Sequence, residues 1–197
     1  SAGTNVEWLR DDLGLIATSA ESHDVAEMCD DTDGVVYVPA LLGLGTPKWD
    51  YGARGTLLGI TRGTGRPHVV RAVLEGVAHR GADLIEAART DSGVDIHTVR
   101  IDGGMSANPT FAQALADAAN CPIEVSPVAE ATTIGAAFMA GLGVGVFDGM
   151  DDLDALWRPA RVVEPADPSS HEQRRERWAN ALERAGGWHA DLSALEF

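Results

Sequence analysis

The sequence has 197 residues, 45% of them hydrophobic, and its 30 acidic against 15 basic residues give a formal net charge of −15. This length and apolar content predict one globular domain over residues 1–197, with a main body at about 1–160 and a C-terminal helical segment at about 168–190. The acidic balance argues against a nucleic-acid partner, no apolar run approaches the ~20 residues that cross a bilayer, and the first residues lack the pattern of a signal peptide. We therefore expect a cytoplasmic protein with no membrane partner.

The basic residues are unusual, because Lys48 is the only lysine and all the others are arginines. An acidic surface with almost no lysine is compatible with folding in molar salt, where salt screens the repulsion between carboxylates. The composition therefore predicts a salt-adapted protein, although GC-rich codon usage would also favour arginine over lysine.

The first 55 residues predict short elements followed by a loop. Apolar spacing predicts a helix from Asn5 to Leu13, with Thr4 or Asn5 as its cap, and a second short helix at Val25–Cys29. The run Val35–Val38 is typical of a buried strand. The glycine- and proline-rich stretch after it predicts a long irregular loop ending near Gly55.

The middle of the chain predicts an α/β unit. Apolar residues recur every three or four positions from Pro67 until Gly93, which predicts one long buried helix. Val99 and Ile101 predict a strand, and Asn108 followed by proline predicts the cap of a helix running to about Asn120. The order strand, glycine turn, helix is typical of parallel α/β folds.

The remaining residues predict a second strand and three further segments. PIEVS, residues 122–126, forms the strand, and Ala131–Gly141 forms a small-residue helix whose following glycines cap and bend it. The proline-interrupted residues 150–170 are expected to lie over the surface. From Ser169 an amphipathic helix follows, with Trp178 and Leu182 on its buried face.

One stretch, Ile101 to Pro109, has the local chemistry of a nucleotide site. Gly103 and Gly104 permit close approach of a base or ribose to the backbone, and the helix behind them offers free N–H groups. The Asn108 side chain can reach a base edge. The same pattern also fits a simple strand-to-helix turn, and it is neither a P-loop nor a dinucleotide fingerprint.

Other chemically capable residues look structural. Asp102 ends a strand, Glu75 and His79 lie within the long helix, and His68 lies in that helix's first turn. The histidines and the two distant cysteines lack metal-ligand spacing, so we predict neither a metal site nor a disulfide.

Residues Gly55–Gly76, GTLLGITRGTGRPHVVRAVLEG, resemble the second signature of the FGGY carbohydrate kinases. The preceding stretch GVVYVPALLGLGTPKWDYGARG is similar to the strand, Pro-aromatic-Trp-Asp loop and Ala-Arg-Gly turn of the glycerol-phosphorylating members. The stretch from Asp91 to Phe147 is similar to the family's adenosine-binding turn, next strand and small-residue helix.

This resemblance implies an actin-like, ribonuclease H-like α/β fold, here the C-terminal domain without its first strands. It implies binding of ATP or ADP with Mg²⁺ and transfer of a phosphoryl group to glycerol, giving sn-glycerol 3-phosphate. By position, Gly104 and Asn108 correspond to adenosine contacts, and Gly3 and Glu7 to further nucleotide contacts. Glu7 departs from the glutamine common there, and a carboxylate near a nucleotide weakens binding unless it is screened.

The resemblance places the general-base aspartate and the polyol-binding residues in a preceding region. We therefore expect no catalytic residue in residues 1–197, no kinase activity from them alone, and a homo-oligomer in the intact enzyme. Three alternatives stay open: an FGGY kinase for xylulose, ribulose or gluconate, a non-catalytic ATP switch of the actin or heat-shock chaperone type, and an interaction domain that has lost nucleotide binding.

Overall fold

The computed structural model describes residues 2–193, which form helices and short strands in alternation. The helices are α1 (Ala2–Glu7), α2 (Glu21–Ala26), α3 (Arg66–Ser92), α4 (Pro109–Ala119), α5 (Ala131–Gly143), α6 (Met150–Leu156), α7 (His171–Ala185) and α8 (Ala190–Ser193). The strands are β1 (Val36–Val38), β2 (Thr56–Leu58), β3 (Val99–Ile101), β4 (Ile123–Val125) and β5 (Arg161–Val163). A π-helical turn at Trp8–Asp12 continues α1, and 3-10 turns span Gly104–Ala107 and Pro168–Ser170.

The central element is α3, whose predicted length is confirmed. Its 27 residues end where Gly93 takes a left-handed conformation (φ 66°) and donates a backbone hydrogen bond to Arg89. Its apolar face packs against α1, α2, α4 and β1 to form the main core, because apolar residues at spacings of three and four share one side of a helix. Buried members from α3 are Val70, Val73, Leu74 and Val77.

The strands form two separate sheets. β1 and β2 pair antiparallel, with Val36 opposite Leu58. β3 and β4 pair in parallel across α4, so the predicted strand–helix–strand unit is confirmed. β5 pairs antiparallel with the other side of β4, which leaves β3 at the edge of this sheet within residues 2–193.

The predicted start of the first helix is wrong. Thr4 and Asn5 do not cap it, because the helix already includes Ala2 and both residues lie inside it. The side chain of Asn5 is buried and accepts a hydrogen bond from the Tyr37 hydroxyl at 2.9 Å. A tertiary contact therefore uses the polar group that the sequence pattern assigned to a local cap.

Four short elements, β2, α6, β5 and α8, were not predicted. β2 follows the predicted loop directly, and α6 and β5 occupy residues that we expected to lie over the surface without regular structure. Strands of three residues are too short to show an alternating pattern, so pairing with β1 and β4 decides their conformation.

The glycine-rich bend after α5 agrees with its prediction as a helix end, although α5 extends two residues further, to Gly143. The Val146 backbone N–H bonds the Gly141 carbonyl at 2.8 Å. A β-carbon on Gly141 would lie 2.7 Å from the Phe147 ring, so the absence of a side chain lets the bend fold back onto the helix.

The predicted last helix, α7, packs on β1 through a second core cluster that contains Trp178 and Leu182. Beyond it, residues 186–193 are fastened to the loop before β2 by Asp50. The Asp50 carboxylate accepts hydrogen bonds from the backbone N–H groups of Gly52 and Gly187 and from the Ser193 hydroxyl. Between residues 2 and 193 no helix combines the length and the hydropathy that a bilayer crossing requires.

Candidate functional site

All four residues predicted to contact a nucleotide line one cavity of about 770 Å³. Two segments, α1 and residues 19–24, form its walls, and the turn between β3 and α4 forms its floor. Gly3 and Glu7 lie on the α1 wall, and Gly104 and Asn108 lie on the floor. The other lining residues are Ala2, Val6, Ser19, Ala20, His23, Asp24, Asp102, Met105, Ala107 and Pro109.

The floor of the cavity is the turn after β3. Gly103 has φ 80°, a left-handed conformation that favours glycine, and the 3-10 turn starts at the next residue. The Ser106 hydroxyl donates to the Gly103 carbonyl at 2.7 Å and so holds the turn closed. A β-carbon on Gly104 would find no atom within 4 Å, which means that its backbone faces open space.

Asn108 joins this floor to α4. It has extended backbone angles, and its Oδ1 accepts a hydrogen bond from the Phe111 backbone N–H at 3.1 Å, so its predicted role as the helix cap is confirmed. Its Nδ2 donates to the hydroxyl of Ser22 in α2 at 2.9 Å. The side chain is thus held at both ends of its carboxamide.

A second contact links α2 to the start of α4 beside the cavity. The Nδ1 atom of His23 lies 2.8 Å from the Thr110 hydroxyl oxygen, and the Glu27 carboxylate lies 3.5 Å from the same oxygen. These contacts fix the wall formed by α2 against the floor.

The charges around the cavity are acidic. Glu7, Asp24 and Asp102 line it, whereas the lining residues within the described part of the chain include neither arginine nor lysine. An anion here would be attracted by backbone N–H groups and by the N-terminal end of the 11-residue α4, and repelled by the carboxylates. Neutral, flat groups with hydrogen-bonding edges fit this surface better than bare phosphate does.

A larger cleft of about 840 Å³ lies between α3, α4 and α7 and contains Glu75 and His79. Burial raises the pKa of Glu75, against the opposing effect of Arg71, whose guanidinium lies 3.0 Å away. Burial lowers the pKa of His79 to about 4, and its ring stacks on Trp178. Their internal partners agree with the structural roles that we expected for both residues.

Two other sequence candidates, His68 and Asp102, lie outside this cleft. His68 accepts a hydrogen bond from the Gly65 backbone N–H at 3.0 Å and so closes the first turn of α3, as predicted. Asp102 lies at the rim of the cavity. Residues 2–193 contain no group of three or more histidine, cysteine or acidic side chains placed to hold a metal ion.

The part of the cavity wall formed by residues 19–24 was not predicted. Ser22 and His23 are more than 80 positions from their partners Asn108 and Thr110, and no local pattern marks them. The local sequence there is a run of polar residues near a short helix. Such a run predicts a helix cap as readily as it predicts a binding site.

The chain's similarity to known proteins agrees with this architecture. The profile of the C-terminal domain of the FGGY family of carbohydrate kinases matches residues 1–144. The chain belongs to this family. The predicted family and its α/β, actin-like fold class are therefore confirmed.

Two glycerol kinases are among its relatives. The chain is 47% identical over 188 residues to a glycerol kinase of Rhodopirellula baltica, covering 95% of this chain and 35% of that protein. It is 44% identical over 195 residues to a glycerol kinase of Deinococcus radiodurans, covering 98% and 38%.

Among solved structures, Plasmodium falciparum glycerol kinase with ADP superposes with a TM-score of 0.84 at 36% identity, covering all of this chain and 38% of that one. Ligand-bound xylulose kinase from Lactobacillus acidophilus superposes with a TM-score of 0.76 at 25% identity, covering 94% and 39%. The chain spans little more than a third of the length of these proteins.

Proposed function

We propose that this chain is the nucleotide-binding part of a glycerol kinase, which transfers the γ-phosphoryl group of ATP to glycerol and forms sn-glycerol 3-phosphate. The observation that carries the proposal is the convergence of Gly3, Glu7, Gly104 and Asn108 on one cavity. The sequence and its family resemblance predict these four residues as nucleotide contacts, and the residues lie in segments about 100 positions apart.

The cavity suits the adenosine part of the nucleotide. Its floor is open at Gly104, which permits a flat group to approach the backbone, and Asn108 supplies a hydrogen-bonding amide at its edge. The solved glycerol kinase that superposes on this chain was determined with ADP, which supports nucleotide binding in this family.

Phosphoryl transfer depends on positioning and on charge neutralisation more than on covalent chemistry. The described residues offer the nucleotide a floor and a wall, and residues 2–193 hold no cluster that fits Mg²⁺. We assign no metal ligand to the described residues. We also place no general base among them, because the family resemblance places that residue elsewhere in the enzyme. The polyol, the base and the Mg²⁺ coordination belong, in this proposal, to other parts of the enzyme.

Glycerol is favoured over the other sugars considered for this family. The glycerol kinase structure superposes with the higher TM-score and identity, 0.84 and 36%, than the xylulose kinase from Lactobacillus acidophilus, 0.76 and 25%. We also propose a cytoplasmic, homo-oligomeric enzyme, by analogy with glycerol kinases.

The test is a calorimetric titration of the protein with ADP and Mg²⁺ in molar KCl, alongside Asn108→Ala and Gly104→Val. Both substitutions should weaken binding at least tenfold, the first by removing an amide contact and the second by filling the cavity. Because a β-carbon at Gly104 meets no atom within 4 Å, the side chain of valine there starts in open space of the cavity.

Two matched variants control for nonspecific effects. Gly149 precedes α6 in an extended conformation with open space around it, so Gly149→Val makes the same change away from the cavity. Asn180→Ala removes an exposed asparagine from α7. Equal affinities for all five proteins, or no binding by a folded wild-type sample, would contradict the proposal.

A further inference from the structure

We infer that Ser22 is a positioning residue that holds the Asn108 carboxamide in the orientation that the cavity requires, an inference that rests on the proposed nucleotide site. Ser22 is fully buried (0% exposed) at the start of α2. Its hydroxyl oxygen lies 2.9 Å from Asn108 Nδ2, across 86 positions of sequence.

The direction of each hydrogen bond follows from the number of protons available. A serine hydroxyl carries one proton, and Ser22 donates it to the Ser19 carbonyl at 2.6 Å. Toward Asn108, its oxygen can therefore only accept. An acceptor at this point selects the NH₂ end of the carboxamide and rejects the oxygen end, which would place two lone pairs in contact.

The other end of the carboxamide meets the opposite requirement. The Phe111 backbone N–H is a donor and needs Asn108 Oδ1, which lies 3.1 Å away. The two contacts agree, so the amide has one satisfied orientation and a flip would break both. Asn108 then retains one Nδ2 hydrogen and one Oδ1 lone pair for other partners, in directions that the protein has fixed.

A ligand that uses those remaining positions benefits because the amide is already ordered before binding. Without the Ser22 hydroxyl, Asn108 would keep its cap contact with Phe111 but lose the tether on Nδ2. Rotation about the last side-chain bond would then compete with the ligand contact. We expect Ser22→Ala to weaken ADP binding about tenfold although Ser22 is not among the lining residues.

A double-mutant cycle separates positioning from a general structural effect. ADP affinity in molar KCl is measured for wild type, Ser22→Ala, Asn108→Ala and the double variant, with thermal midpoints recorded for each. If Ser22 acts through Asn108, Ser22→Ala costs about tenfold in the wild-type background and nothing once Asn108 is alanine. An equal loss in both backgrounds, or no loss from Ser22→Ala in a protein that binds ADP, overturns the inference.

Thr110→Val is the matched control. It removes the other polar contact between α2 and α4, the one with His23, but leaves the Asn108 tether in place. Thr110 does not line the cavity, but its contact with His23 helps to hold the wall formed by α2, so this variant should weaken ADP binding less than Ser22→Ala does. A loss equal to that of Ser22→Ala would mean that any loosening between these helices weakens binding, and would also overturn the inference.

A spectroscopic measurement tests the tether without nucleotide. In the wild type, one Nδ2 proton of Asn108 should exchange slowly with water, because Ser22 accepts it in a buried site. In Ser22→Ala both Nδ2 protons should exchange fast. Unchanged exchange refutes the tether, whereas slow exchange in a wild type that binds no ADP would refute the nucleotide proposal and leave the tether standing.

Discussion

At the scale of single residues, Asp83 of α3 is a buried charged group with three side-chain partners. Its carboxylate is buried and accepts hydrogen bonds from Arg80 at 2.8 Å, from Arg175 at 2.6 Å and from the indole N–H of Trp178 at 3.0 Å. Beside it, the His79 ring stacks on Trp178 with ring centres 5.0 Å apart. These side chains join α3 to α7, and the guanidinium of Arg175 places a positive charge 3.4 Å from the His79 ring.

This environment predicts that stability falls when His79 becomes protonated. Burial and, to a smaller extent, the charge of Arg175 lower the pKa of His79 to about 4, and the carboxylate of Asp83 offsets only part of this effect. In the unfolded chain the pKa is near 6.5. Between these values the unfolded state binds a proton that the folded state does not, so stability is lost as pH falls from 6.5 toward 4. The loss attributable to His79 is at most about 3 kcal/mol.

Urea unfolding at pH 7 and pH 5 measures this effect. Other groups titrate in the same range, so the informative quantity is the difference between wild type and His79→Gln, which should lose less stability at pH 5. His97→Gln is the control, because His97 is 80% exposed. A wild type and a His79→Gln variant with the same pH dependence would refute the assignment.

Local patterns predicted the residues whose partners are near in sequence. Asn108 as a cap and the open turn at Gly104 follow from a glycine pair, an asparagine and a proline within nine positions. Ser22 and Asn5 could not be predicted, because their partners lie 86 and 32 positions away and depend on how helices pack. Sequence alone thus indicated the floor of the cavity but not the contact that orients it.

At the scale of elements, α3 and β1 approach each other very closely at one glycine. A β-carbon on Gly76 would lie 2.1 Å from the Tyr37 carbonyl oxygen, so the strand touches the helix backbone at this point. The periodic pattern predicted α3 itself, whereas the partner of β1, the three-residue β2, gave no signal. Long elements carry their own pattern, and very short ones are fixed by their neighbours.

Substituting alanine for glycine should change the free energy of unfolding in opposite directions at Gly76 and at Gly135. Gly76→Ala should destabilise the fold by about 2 kcal/mol or more, because the methyl group meets backbone that cannot move aside. Gly135→Ala in α5 should stabilise it by about 0.5–1 kcal/mol, since nothing lies within 4 Å and alanine favours the helix.

Both changes in the free energy of unfolding can be measured by urea denaturation monitored with circular dichroism. Equal effects of the two substitutions, of either sign, would show that helix propensity and not the approach of β1 determines the result at Gly76.

At the scale of the whole molecule, the net charge of −15 dominates, and we propose that the fold is adapted to molar salt. Repulsion between carboxylates decreases as salt screens it, and the exposed arginine–carboxylate pairs contribute little that screening could remove. The thermal midpoint should therefore rise between 0.1 M and 2 M KCl. A protein that is fully stable in dilute buffer, with no gain from KCl, would contradict the proposal.

Salt should also affect the cavity, because Glu7, Asp24 and Asp102 line it without a compensating arginine or lysine. Screening reduces their repulsion of a phosphorylated ligand, which is why the nucleotide titrations above are set in molar KCl.

The attachment of residues 186–193 through Asp50 has a practical consequence. The same loop holds Lys48, the only lysine of the sequence, next to Trp49, which is 55% exposed. Apart from the α-amino group, an amine-reactive dye therefore has one side chain to modify, and that side chain lies beside a tryptophan that can quench the dye's emission. Because the Asp50 carboxylate also binds the Gly187 N–H at 2.8 Å, we expect that emission to change when residues 186–193 detach from this loop.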